Sequence, residues 1–94
     1  TGALHATAAA CGLEGPRLAL DAACASGLYA LKIACDHLAA GRADVMLAAG
    51  LNCADDLFLH VGFTALGALS PSGRSSPLST LADGLLPAEG AAVL

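Results

Sequence analysis

LALDAACASGLYALKIACDHL, residues 18–38, is the stretch whose reading decides the fold. It opens as a short apolar run that ends at Asp21. A turn of small residues follows, carrying Cys24, and beyond it the apolar positions Leu28, Leu31, Cys35 and Leu38 recur at helical spacing. The pattern predicts a strand, a cysteine at the bend and a helix over about residues 25–40. At such a junction backbone N–H groups lack intrahelical partners and the helix dipole is positive, which favours a thiolate. A thiolate so placed attacks carbonyl carbon, so chemistry on an acyl group is the function this stretch implies.

Outward from this centre, Gly41 stands just past the helix, where a left-handed cap suits glycine. Lys32 and Asp36, four apart, mark the solvated side, a pair worth a few tenths of a kcal/mol. Residues 44–51 read as the next buried strand, and residues 17–21 as a central strand apolar on both faces. The helix between them is then the crossover of a right-handed βαβ unit in a mostly parallel sheet, which gives an α/β fold class. Asp21 is open to two readings, a charge that orients the bend or a turn residue.

Upstream, residues 1–11 are alanine-rich and predict a helix ended by Gly12 and the Glu14-Gly15-Pro16 breaker. His5 falls on this helix with no acid–base partner in the pattern. Downstream, Asp55-Asp56 gives an acidic helix start before Leu57, Phe58, Val61 and Leu66, an apolar stripe suited to packing. Residues 70–87 turn loop-like, with Ser70-Pro71-Ser72-Gly73 fitting a type I turn and Pro77 and Pro87 denying long regular elements. Glu89 lies in a Gly-rich approach to a last strand and reads as structural.

Composition sets limits of its own. With 94 residues, 56% hydrophobic and 13% charged, the chain is too apolar to hide its side chains in its own core. It lacks an initiator Met and a signal-peptide pattern, and it stops inside an apparent buried strand, Ala91-Ala92-Val93-Leu94. Residues 1–94 are therefore expected to be one part of a single larger domain, incomplete at both ends, and cytoplasmic. Asp36, Arg42, Asp44, Asn52 and Asp55 break every apolar run before the roughly 20 residues that a membrane span needs. A net charge of −4 with four basic residues leaves no basic patch for nucleic acid.

The four cysteines, at 11, 24, 35 and 53, show neither C-x-x-C spacing nor a histidine at a ligand-like offset. Neither a metal site nor a disulfide framework is expected. Cys11, Cys35 and Cys53 read as small buried hydrophobes.

The residues around Cys24 also carry a resemblance. Asp21-Ala22-Ala23-Cys24-Ala25-Ser26 resembles the active-site signature of β-ketoacyl synthase domains, above all those of polyketide synthases. Gly41-Arg42-Ala43-Asp44 with the following Val45-Met46-Leu47-Ala48-Ala49-Gly50 is similar to that family's strand after the active-site helix. Gly62-Phe63, Ala68-Leu69-Ser70-Pro71, Gly73-Arg74, Ala82-Asp83-Gly84 and Glu89-Gly90 resemble its next landmarks, in the same order. Two departures stand out: Gly27 where the family usually has a hydroxyl residue, and Leu78-Ser79 where it commonly has Phe-Asp.

The resemblance implies a fragment of a thiolase-like layered fold, with residues 1–94 as the N-terminal, active-site half of a ketosynthase. It implies that Cys24 accepts an acyl chain from the phosphopantetheine of an acyl carrier protein, with its backbone N–H in the oxyanion hole. Decarboxylative condensation with malonyl-carrier protein follows in the family, and no cofactor is bound directly. It further implies that Phe63, a core residue by periodicity alone, lines the acyl pocket, and that residues 17–21 pair with their twin across a homodimer axis. The family's catalytic histidines and lysine lie in its C-terminal half, so these 94 residues alone are expected to be inactive. Two other readings stand beside this one, a discrete fatty-acid condensing enzyme and a non-catalytic partner of the chain-length-factor type. Such partners replace the nucleophile, and Cys24 argues against that reading.

Overall fold

The computed structural model describes residues 2–53 and 57–94. Helix α1 is Gly2–Ala10, α2 is Ser26–Ala39 and α3 is Leu57–Ala65, with strands β1 at Ala49–Asn52 and β2 at Gly90–Val93. A 3-10 turn over Ala23–Ala25 leads into α2. The expected acidic helix start at Asp55-Asp56 lies outside the described residues.

The three helices among the described residues stop by the same device. After α2 the amide of Arg42 donates to the His37 carbonyl (2.9 Å) and that of Gly41 to the Leu38 carbonyl (3.0 Å), with Gly41 at φ 63°. This is the Schellman arrangement, in which a left-handed residue turns the chain so that two orphan carbonyls regain donors. Leu13 and Gly12 repeat it on α1, and Ala68 and Gly67 on α3. Gly41 and Gly12 thus end their helices as their positions predict. The Lys32–Asp36 pair on α2 forms, with Nζ 2.6 Å from the carboxylate.

The chain divides into two compact units, Thr1–Gly50 with Ala92–Leu94, and Leu51–Ala91. In the first, Ala48 and Leu94 exchange both backbone hydrogen bonds (3.0 and 2.9 Å), so β1 and β2 run antiparallel. Gly50 of β1 passes beside the first turn of α2, where a Cβ would stand 3.9 Å from the Gly27 Cα. In the second, residues 69 and 85 form a parallel bridge, with Ser70 N–H donating to the Leu85 carbonyl (2.8 Å) and Leu85 N–H to the Ala68 carbonyl (2.9 Å).

The sheet is smaller than the sequence reading expects. Residues 17–21 join no ladder among the described residues, and of residues 44–51 only the end from Ala48 pairs, with a partner running the opposite way. A parallel strand needs a neighbour delivered by a crossover, and these residues bring none to 17–21, so Leu18 stays 60% exposed. Burial is corrected. Ala8 and Ala34 are the buried hydrophobic residues among those described. On α2 the side turned inward carries Ala34 with half-buried Ala30, Ile33 and His37, while Leu28, Leu31, Cys35 and Leu38 are exposed. The stripe of Leu57, Phe58, Val61 and Leu66 is exposed as well, and so are Cys11, Cys35 and Cys53. Each of these faces reads as core because it is apolar, and burial also requires a second surface to cover it. Among the described residues no helix is long and apolar enough to cross a membrane.

Candidate active site

Cys24 sits exposed in the 3-10 turn that enters α2. The residue before it, Ala23, has φ 50°, the left-handed region that a non-glycine residue enters at a cost of about 1–3 kcal/mol. Such a conformation persists where the surroundings over-determine it, and here they do. The Asp21 carboxylate accepts a hydrogen bond from the Ala23 N–H at 2.9 Å. The Ser26 hydroxyl accepts from the Ala22 N–H at 2.9 Å and donates to the Ala23 carbonyl at 2.7 Å. Backbone bonds from Ala25 to Ala22 and from Ser26 to Ala23 close the turn.

These bonds engage the amides of Ala22, Ala23, Ala25 and Ser26. The amide of Cys24 is not one of them. A cysteine at the start of a helix of 14 residues, with its own N–H not among the bonds shown to hold the bend, has the parts that attack on a carbonyl and stabilisation of an oxyanion would need. The Asp21 carboxylate holds the bend, which fits both readings of that residue. Gly27 has open space around it, where a Cβ would meet nothing within 4 Å, so packing among the described residues does not demand a glycine there.

Hollows lie in this unit among the described residues. An apolar one of about 260 Å³ is lined by Ala25, Leu28, Tyr29 and Lys32, beginning at the residue after Cys24. A larger open cleft of about 470 Å³ is lined by residues 12–16 and 42–45, past the far end of α2. At 1.5 Å per residue that helix is about 20 Å long, so the larger cleft is remote from the thiol. No cluster of three or more His, Cys, Asp or Glu that could hold a metal occurs among the described residues.

Phe63, the other residue singled out for the site, is half-buried on α3 in the second unit. That unit carries a polar network of its own. The Ser70 hydroxyl donates to the Asp83 carboxylate at 2.6 Å, lies 3.1 Å from the Ser72 hydroxyl, and accepts from the Arg74 N–H at 3.3 Å. The Ser70 bond, followed by that of Ser72, holds the Asp83 carboxyl below the usual carboxylate range. Gly73 N–H donates to the Ser70 carbonyl at 3.2 Å, closing the four-residue turn expected there. Leu78 stands at φ 64° and is fully exposed. Glu89 accepts from the Cys53 thiol at 3.4 Å. Sequence reasoning missed the Ser26 bridge and the left-handed Ala23, and an Ala-Ala-Cys run gives no signal for either.

Residues 5–94 match the family model of the β-ketoacyl synthase N-terminal domain. Among relatives, the chain is 41% identical over 85 residues to a PKS-NRPS hybrid synthetase of Aspergillus niger, covering 90% of this chain and 5% of that protein. It is 43% identical over 83 residues to pikromycin polyketide synthase component PikAIII of Streptomyces venezuelae, covering 88% and 5%. To a mycocerosic acid synthase-like polyketide synthase of Mycolicibacterium smegmatis it is 41% identical over 85 residues, covering 90% and 4%. The chain thus spans about one twentieth of the length of these relatives.

Proposed function

Because this chain belongs to the β-ketoacyl synthase family, in the part formed by its N-terminal domain, we propose that it is the active-site half of a ketosynthase of thiolase-like layered fold within a cytoplasmic polyketide-forming synthase. The Cys24 thiolate attacks the carbonyl carbon of an acyl thioester carried on the phosphopantetheine of an acyl carrier protein. The tetrahedral oxyanion takes a hydrogen bond from the Cys24 N–H, the carrier thiol leaves, and the chain is left as a thioester on Sγ. Malonyl-carrier protein then loses carbon dioxide. The resulting carbanion attacks the same carbonyl, forms the new carbon–carbon bond and returns the thiolate to Cys24.

The observation that supports this reading best is the turn itself: an exposed cysteine whose own amide takes no part in the bonds that hold it. The relatives' descriptions as polyketide synthases support the pathway. Decarboxylation falls to histidines and a lysine beyond these residues, so residues 1–94 alone are inactive in this reading. Phe63 belongs to the acyl pocket, and residues 17–21 to a homodimer interface.

Cys24→Ala in the full synthase separates the steps. Acyl loading from a labelled carrier thioester is expected to vanish while carbon dioxide release from malonyl-carrier protein continues, because no other side chain in the turn replaces a thiolate. Undiminished loading in the variant contradicts the assignment. No loading by variant or wild type points instead to a non-catalytic partner.

A further inference from the structure

The hydroxyl of Ser26 spans the bend that carries Cys24. It is the one side chain that bonds on both sides of Ala23, accepting from the Ala22 N–H at 2.9 Å and donating to the Ala23 carbonyl at 2.7 Å. One O–H donor and one lone pair are used together, which a side chain without a polar group at this position does not supply. The residue it brackets has φ 50°, a conformation that alanine leaves unless it is held. Release of Ala23 toward ordinary backbone angles would swing the next peptide, whose N–H belongs to Cys24.

We propose that Ser26 is a positioning residue for acyl transfer, its hydroxyl fixing the Ala23 turn so that the Cys24 amide faces the oxyanion of the tetrahedral intermediate. The proposal rests on the reading of Cys24 as nucleophile and adds a residue that acts through it. Asp21 serves the same end from one side only, through the Ala23 amide.

Two reactions of the same thiol isolate this role. Acyl transfer passes through a tetrahedral oxyanion and needs an aimed donor. Alkylation by iodoacetamide is a direct displacement at carbon, with iodide leaving, and forms no oxyanion. In the full synthase, Ser26→Ala is expected to slow acyl loading at saturating carrier by about tenfold or more, since loss of an oxyanion donor is worth at least that. The KM for the acyl carrier and the alkylation rate of Cys24 across pH are expected to stay within about twofold, as both are set by other groups. Ser26→Thr keeps the hydroxyl within reach of the same carbonyl and is expected to restore loading.

Unchanged loading in Ser26→Ala overturns the proposal. So does a parallel fall of loading and alkylation, which marks a general loss of structure, or a threonine variant that stays as slow as alanine. Undiminished loading by Cys24→Ala removes the nucleophile reading itself, and is told apart because it does not depend on position 26.

Discussion

The bend at residues 21–26 and the loop at residues 70–84 are built from similar parts. Each has a carboxylate and a serine that form hydrogen bonds, and each has a non-glycine residue at positive φ. They differ in where the bonds fall. Around Cys24 the side chains of Asp21 and Ser26 grip the peptides on either side of Ala23, the strained residue itself. In the loop the Ser70–Asp83 bond ties distant positions together and passes Leu78 by, while Ser79 spends its hydroxyl on the amide of Leu81 at 3.1 Å. Strain that is locally over-determined presents a reactive group. Strain outside such a network stands at the exposed Leu78.

The comparison breaks most severely at Gly84, where the loop's two ends cross. A Cβ there would lie 2.5 Å from the Ser70 amide nitrogen and 2.6 Å from the Leu69 carbonyl carbon, at φ 147°. Backbone must move to admit it, so Gly84→Ala is expected to destabilise the domain by roughly 3 kcal/mol or more, read as a lowered urea midpoint. A midpoint within error of wild type would show that the two chain segments do not approach this closely. In the bend, Ala23→Val puts a β-branched side chain at φ 50°, and a loss of about 2 kcal/mol is expected together with slowed acyl loading. Loss of stability without any change in loading would separate the turn's shape from its chemistry.

Leu78→Gly sharpens the contrast from the other side. The leucine is wholly exposed at φ 64°, so glycine relieves strain and gives up no packing. A gain of about 1 kcal/mol is expected, and a loss would mean that another surface covers Leu78 in the full protein. The smallest effect concerns Asp83. Its carboxyl is held below the usual carboxylate range by Ser70 first and Ser72 second, so the bonds stabilise the ionised form. That stabilisation is present above the ordinary carboxylate pKa and is lost as pH falls through the depressed folded value. Ser70→Ala is expected to lower the melting temperature at neutral pH, with the gap to wild type closing in acid. A gap that stays constant with pH would assign the effect to Ser70 alone.

How much of this was legible in the sequence follows from the range of each interaction. Helices close on themselves within four residues, so α1 and α2, their glycine stops and the Lys32–Asp36 pair could be read directly. So could the place of Cys24 at the mouth of a helix. Sheet pairing is decided by distant chain, and residues 17–21 carry a strand's composition without a neighbour among the described residues to pair with. Burial failed for the same reason at Leu28, Leu31, Cys35 and Leu38, whose helical spacing marks an apolar face but not what lies against it. The left-handed Ala23 was hidden because alanine carries no preference for that region. Ser26 was visible as a hydroxyl near a helix start, yet its bonds run backward into the bend, where no residue pattern announces them.

The central claim, that Cys24 takes up the acyl chain, is tested most directly by trapping the acyl-enzyme. The full synthase is mixed with an isotopically labelled acyl-carrier thioester in the absence of malonyl substrate, quenched in acid, digested and mapped by mass spectrometry. The label is expected as a thioester on the peptide that contains Cys24, in a stoichiometry near one per active site, with Cys11, Cys35 and Cys53 unlabelled. Label on another residue, or on all four cysteines alike, would contradict the account.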